Sequence, residues 1–299
     1  MKKTAKDLHK KVQDNQQISW ITSYNYTFAK ACEQAGIDMI LVGDSGGMTE
    51  LGYKTTIPVT MDQMINFCQA VGRGAPNTFL VGDMPQGSYE ISDEDAVKNA
   101  IRFIKDGGCD AVKLEGGERI LSRIRAIKNA GIIVFGHLGL TPQTMGSSSG
   151  YKCQGKESSG TGKLCRDISA ITSSIDFLLI EALPTETAQY VIQDAGATPV
   201  LGIGAGPNLD GQLIIIHDIL RLYPNFSPKF SKNYFELVEG KRDNLFETIS
   251  EAVRLYIGEV ESGAFPSEKE TYKASKEILK FIEQCNESRK LDDELPNYR

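Results

Sequence analysis

Eight short apolar runs between residues 20 and 218, each closing in small or charged residues, constrain this chain more than any other feature. They are WITSY (20–24), MILVGDS (39–45), FLVGDM (79–84), AVKLEG (111–116), IVFGHLG (133–139), FLLIEAL (177–183), PVLGIGAG (199–206) and LIIIHD (213–218). The apolar residues are continuous rather than alternating, as in parallel strands covered on both faces. Eight such runs in one series with helical segments between them predict a closed (β/α)₈ TIM barrel rather than an open doubly wound sheet. The 299-residue length suits one such domain over 1–299. The barrel is expected over about 18–242, a helical C-terminal extension over about 243–285 and a charged, mobile tail over 286–299.

Helix signals fall between the runs. Thr60 followed by Gln63, and Ser92 followed by Asp95, read as capping boxes. Ala96, Val97, Ala100, Ile101 and Ile104 form an apolar stripe at helical spacing, and Asp106-Gly107-Gly108 supplies a left-handed stop. Further along, 243–262 and 272–284 read as two helices separated by FPSEKE.

A formal net charge of -6 argues against a nucleic-acid surface. No run is long enough to span a membrane. MKKTAKDLHKKVQDNQQ has no apolar core of the signal-peptide kind, so a cytoplasmic protein is expected. The six cysteines (32, 68, 109, 153, 165 and 285) show no CxxC spacing and read as free buried thiols rather than zinc ligands. With three histidines, a His-rich metal site is not expected.

The chemistry lies in where charges end the runs. Asp44, Asp83, Glu115, His137 and Glu181 each stand at or near the C-terminal end of a different run. Strand side chains alternate faces, so Asp44 shares a face with Ile40 and Val42, Asp83 with Val81, Lys113 with Glu115, His137 with Phe135 and Glu181 with Leu179. One assignment points all of them into the barrel mouth, where barrel enzymes carry their active sites. Asp44 and Asp83 end neighbouring strands roughly 4.8 Å apart and can share an ion. Oxygen ligands without histidine or thiolate suit Mg²⁺. Lys113 offers a positive charge for a carboxylate or a developing enolate. Glu181, flanked by Ile180, Ala182 and Leu183, is placed as a base. His137 is open between a substrate contact and a packed, hydrogen-bonded role.

GDSGGM (43–48) sets the Ser45 hydroxyl and open backbone amides beside Asp44. GIGAGPNLDG (202–211) lacks the third glycine of a dinucleotide loop and reads as a tight turn or anion nest.

The blocks LVGDSGGM, GDMPQGSYE, VKLEGGE, GHLGLTPQ, GYKCQGK, LLIEALP, GIGAGPNLDGQLIIIHD and SPKF, in this order from about Ile21 to Glu268, resemble the ketopantoate hydroxymethyltransferase family. The resemblance implies a barrel of the phosphoenolpyruvate-mutase type assembled as a homo-oligomer. It implies transfer of a hydroxymethyl group from 5,10-methylenetetrahydrofolate, as co-substrate, to the keto acid 2-oxoisovalerate through a Mg²⁺-stabilised enolate. By motif, Asp44 and Asp83 match metal aspartates and Glu115 an outer carboxylate of the metal site. Ser45 and Lys113 match substrate-binding positions, Glu181 the proton acceptor and His137 a further site position. Asn25, Gly46, Gln86, the missing glycine of SSSGYK and the missing histidine of SEKETY depart from the family pattern, with Gly46 and Gln86 expected to reshape the pocket. Two other readings stand beside it. One is a phosphoenolpyruvate-mutase or isocitrate-lyase type lyase, with Cys153 as the nearest reactive-loop thiol. The other is an inactive barrel retained for binding.

Overall fold

The computed structural model describes residues 2–144, 152–224, 226–238 and 244–294. Its eight strands close into one parallel barrel in chain order. They are β1 (Ile18–Thr22), β2 (Met39–Val42), β3 (Phe79–Asp83), β4 (Ala111–Glu115), β5 (Ile133–Gly139), β6 (Phe177–Glu181), β7 (Val200–Ile203) and β8 (Gly211–Ile214). The ladder closes where Ile18 of β1 pairs with Gly211 of β8.

Two runs shift against expectation. β1 starts two residues early, at Ile18, and β8 covers 211–214 rather than 213–218. His217 and Asp218 therefore sit in the short helix Ile216–Ile219 beyond the strand. Gly211 opens β8 because a Cβ there would stand 2.4 Å from the Ile18 carbonyl oxygen. GIGAGPNLDG forms a tight turn joining β7 directly to β8, with Gly204 and Gly206 at φ +63° and +94°.

Cross-strand partners on parallel strands face the same way, so register fixes the inward set. Leu41 pairs with Val81, Asp83 with Lys113, Glu115 with His137, and Gly139 with Glu181. Below the polar layer the interior is aromatic. Phe135 stacks on Phe177 with ring centroids 4.6 Å apart and meets Trp20 at 5.3 Å and Phe79 at 6.4 Å. The helix Ala5–Gln13 closes the N-terminal face, burying Leu8 and stacking His9 on Phe177. With that end sealed, the cavity opens only at the C-terminal ends of the strands.

Thr60 and Gln63 form the full capping box of Met61–Gly74. Ser92 caps Asp93–Lys105, but the Asp95 carboxylate meets the Ser92 hydroxyl rather than its backbone amide. In that helix Ala96, Ala100 and Phe103 are buried and Ile101 is largely exposed, so the apolar stripe is rotated from its expected position. Gly108, at φ +73°, supplies the stop.

The helix assigned to the start of an extension, Leu245–Glu261, packs against Tyr26–Ala35 and β1. Its Tyr256 hydroxyl lies 3.0 Å from the Trp20 carbonyl and 2.6 Å from the Gln212 carbonyl, tying it to β1 and β8. The following helix, Lys276–Glu294, packs against Thr185–Val191 and runs past the expected stop at 284, since ESRKLDDE holds good helix formers in place of a breaker. All six cysteines are free; Cys32, Cys68 and Cys109 are buried, the other three partly exposed. No helix among the described residues is long and apolar enough to cross a membrane.

Candidate active site

The barrel mouth holds a cavity that is open to solvent. Asp44, Ser45, Asp83, Lys113, Glu115, His137 and Glu181 all line it, so every expected site residue is present. Strand parity accounts for Asp83, Lys113, Glu115, His137 and Glu181. It does not account for Asp44. In β2 the inward residue is Leu41, paired with Val81, so Asp44 would face outward if the strand continued. The strand ends at Val42, and the turn through Gly43 and Asp44 swings the carboxylate inward instead.

That turn is tied to the next strand by the Asp44 amide, which donates to Asp83 Oδ2 at 3.1 Å. The amides of Gly46, Gly47 and Met48 bond back to Gly43, Asp44 and Ser45, so the open anion-binding amides expected here are already occupied. The Ser45 hydroxyl shares a 2.8 Å bond with the Tyr24 hydroxyl. A Cβ on Gly46 would stand 2.6 Å from the Tyr24 ring and 3.1 Å from Phe67, so those rings fill the space that a larger residue would claim. Gln86 is exposed and outside the cavity lining, contrary to expectation. Asn25 caps Tyr26–Ala35 and donates to Glu50. The serine run of SSSGYK lies outside the described residues.

Lys113 Nζ is the cationic centre. It stands 2.8 Å from Asp83 Oδ1, 3.5 Å from Glu115 Oε1 and 3.3 Å from His137 Nδ1. Burial opposes its charge, but Asp83, Glu115 and Asp44 together outweigh burial and hold it protonated. Burial pushes the Asp83 carboxyl well up, with Asp44 and Glu115 adding to the shift and Lys113 opposing it. Burial also raises Asp44, Glu115 being the next cause, and raises Glu115. Burial and the Lys113 charge lower His137 and keep it neutral. His137 Nε2 lies 3.2 Å from Glu181 Oε2. With Nδ1 unprotonated, Lys113 donates to the ring and Nε2–H faces Glu181. The other tautomer would set two acceptors against each other at that contact.

Gln143, which no periodicity singles out, is the hub of the cluster. Its Nε2 donates to Asp44 Oδ2 at 2.9 Å and to the Met84 carbonyl at 3.0 Å. Its backbone amide donates to Glu115 Oε2 at 3.0 Å, and its Oε1 accepts from the Tyr89 hydroxyl at 2.7 Å. Tyr24, Tyr272 and Asp218 also enter the site without having been anticipated. Gln143 and Tyr89 lie inside GHLGLTPQ and GDMPQGSYE, but a neutral polar side chain in a loop carries no spacing signal.

Among the described residues no three His, Cys, Asp or Glu side chains stand together as a metal-binding group. Both Glu115 oxygens are engaged, Oε1 by the Lys113 ammonium and Oε2 by the Gln143 backbone amide. Asp44 and Asp83 remain. Asp83 Oδ1 is buried with no aligned hydrogen-bond donor, and the two carboxyls raise each other's cost. This hard, oxygen-only pair fits Mg²⁺, which takes few protein ligands and fills its shell with water and substrate. Cys153 lines the cavity, but burial pushes its thiol up to about 11 despite Lys156 and Lys229, leaving a protonated thiol rather than a reactive thiolate.

The ketopantoate hydroxymethyltransferase family model matches residues 2–268. A 3-methyl-2-oxobutanoate hydroxymethyltransferase of Alkaliphilus metalliredigens is 48% identical over 91% of this chain and 93% of its own. The enzyme of that name from Desulfotalea psychrophila is 45% identical over 92% and 96%. Among solved structures, phosphonopyruvate hydrolase superposes with a TM-score of 0.58 at 14% identity, covering 98% of this chain and 99% of that one. A 2,3-dimethylmalate lyase of the PEP mutase/isocitrate lyase superfamily gives 0.52 at 15%, covering 98% and 99%. Those two likenesses establish the barrel type alone. With the family model spanning nearly the whole chain and the expected residues gathered in one mouth, the chain belongs to the ketopantoate hydroxymethyltransferase family.

Proposed function

We propose that the chain moves the one-carbon unit of 5,10-methylenetetrahydrofolate, with one water molecule, onto 2-oxoisovalerate, giving ketopantoate and free tetrahydrofolate. Family membership supports the reaction class. The observation that carries the residue roles is the contrast between Glu181 and its neighbours. The Glu181 side chain is 17% exposed to the cavity, whereas those of Asp83, Lys113, Glu115 and His137 are at most 3% exposed. A base must reach substrate and change protonation, and Glu181 is the carboxylate free to do both.

Asp44 and Asp83 would hold Mg²⁺, with Glu115 steadying Lys113 behind them. When bound, the metal supplies Lewis-acid polarisation of the keto carbonyl. Glu181 removes the C3 proton of the keto acid. Lys113 stays charged through the step and offsets the negative charge that develops on the substrate. His137, neutral and 3.2 Å from Glu181, orients that carboxylate. The Ser45 hydroxyl, set by Tyr24, reaches the substrate from the β2 side. Gly139 permits the close β5–β6 approach behind the base, since a Cβ there would stand 2.3 Å from the Glu181 carbonyl oxygen. Ala182 follows at φ 52°, a strained conformation pinned by its amide on the Ile203 carbonyl and by the Gln154 amide on its own carbonyl.

Cytoplasmic residence and self-association complete the reading, with exposed Leu222, Phe226, Phe235, Leu237 and Leu245 offering apolar surface for the latter. The protonated Cys153 thiol weighs against the lyase alternative. NMR of C3-proton exchange of 2-oxoisovalerate in D₂O, before any folate is added, tests the proposal. Exchange should require both protein and Mg²⁺, and Glu181→Gln should abolish it. Full exchange by that variant, or none by the wild type, would overturn the assignment.

A further inference from the structure

Two buried polar atoms of residues lining the cavity have no partner among the described residues. Asp218 is 6% exposed and its Oδ2 accepts no hydrogen bond among the described residues. Thr56 is 3% exposed and its Oγ1 is likewise unpaired. Both line the same cavity as the proposed catalytic residues, Asp218 from the short helix after β8 and Thr56 from the loop before the helix Met61–Gly74. A buried carboxylate oxygen without a donor costs stability, so such a group calls for a functional explanation. The same cavity lining also includes the aromatic residues Tyr223, Phe226, Phe230 and Tyr272. Burial pushes the Asp218 carboxyl up to about 7, with Arg221 opposing, as for an acid that lacks donors of its own.

We propose that Asp218 is a binding residue for the one-carbon carrier, its carboxylate accepting the paired N–H donors on the 2-amino-4-oxo edge of the pterin ring while Thr56 supplies a further polar contact. A carboxylate presents two coplanar acceptors, and an aminopyrimidinone edge presents two coplanar donors. The aromatic residues supply faces on which a fused ring can stack. This inference rests on the folate-dependent reading above and adds to it the residue that would select the carrier.

The test separates the two. Steady-state kinetics of Asp218→Asn should show the KM for methylenetetrahydrofolate raised about 10-fold or more, the loss expected for one charge-assisted hydrogen bond. The KM for 2-oxoisovalerate should change far less. Binding of a free 2-amino-4-oxopteridine and its 2-deamino analogue provides a readout that a structural role would not move. The wild type should prefer the amino compound by a similar factor, and Asp218→Asn should lose that preference. Thr56→Val, which keeps the volume, should weaken both pteridines alike. An unchanged folate KM with an unchanged pteridine preference would overturn the proposal. So would a rise confined to the keto acid KM, which would assign Asp218 to that substrate instead. Wild-type protein that exchanges the keto-acid proton yet distinguishes neither pteridine would sink this inference and leave the enolisation reading intact. Wild-type protein that binds the amino pteridine through Asp218 but exchanges no keto-acid proton would do the reverse.

Discussion

Replacing Gln143 with leucine keeps the volume and removes the side-chain bonds that hold Asp44, a proposed metal ligand, in place. The Tyr89 hydroxyl loses a 2.7 Å acceptor but still has the Glu115 carbonyl at 3.3 Å, so that loss is small. The Met84 carbonyl and Asp44 Oδ2 lose donors at 3.0 and 2.9 Å inside a buried cluster. One neutral bond and one to a carboxylate sum to about 3 kcal/mol. The backbone bond from Gln143 to Glu115 survives, so the loop itself should stay in place. Gln143 also works to lower the Asp44 pKa, so its removal favours the protonated acid and weakens the site for a cation. Urea unfolding at pH 7.5, with and without Mg²⁺, reads both effects. The wild type should be stabilised by Mg²⁺ in proportion to its occupancy, and the variant should lose about 3 kcal/mol together with most of that response. A loss below about 1 kcal/mol with an unchanged Mg²⁺ response would refute the assignment of Gln143 as the hub.

Gly46→Ala should displace the Tyr24 ring, now 2.6 Å from the added Cβ position, and break the Tyr24–Ser45 bond. Such overpacking costs about 1–3 kcal/mol, and the keto acid KM should rise with it; an unchanged KM would show that Ser45 does not depend on Tyr24. Asp218→Asn should be more stable than the wild type at pH 8. The folded pKa of about 7 lies above the usual 3.8, so the folded acid binds more protons between the two values and wild-type stability falls as pH rises through that window. The gap between the proteins should reach at most about 4 kcal/mol above pH 7 and close toward pH 4. Equal melting temperatures at pH 8 would mean that Asp218 is paired or solvated in the free protein.

The barrel was legible because continuous apolar runs and the helix signals between them repeat eight times. The inward carboxylates were legible wherever the strand reaches the charged residue, as at Asp83, Glu115 and Glu181. Asp44 reached the correct place for a different reason, since a turn delivers it and strand parity does not extend past Val42. The last strand was misplaced because glycine weakens a strand signal while IIIHD prolongs the apolar one. Gly211 is nonetheless required where β8 approaches Ile18. Leu245–Glu261 was assigned to an extension because a long stretch separates it from β8. Tyr256 meets the Trp20 carbonyl 236 positions away and the Gln212 carbonyl 44 positions away, which local patterning cannot reveal. Gln143 and Asp218 were missed as site residues because neither a loop glutamine nor one acid in an apolar run carries a periodic mark.

The division of labour among the carboxylates follows from how tightly each is held. Asp44, Asp83 and Glu115 are buried around the Lys113 ammonium, and burial raises all three carboxyls. Such a cluster is costly without a further cation, because removing like charges from water is compensated only by good pairing. Gln143, through its side-chain and backbone amides, and the Asp44 amide supply fixed dipoles that keep the carboxylates apart and oriented. A group held in that way serves poorly as a base, since each proton it gained would weaken bonds to several neighbours. Glu181 stands outside this network, facing the cavity with His137 Nε2 beside its carboxylate. As the proposed base it can exchange a proton while the cluster behind it stays unchanged, and His137, neutral and held by Lys113 at Nδ1, joins the fixed part of the site to the part that must change.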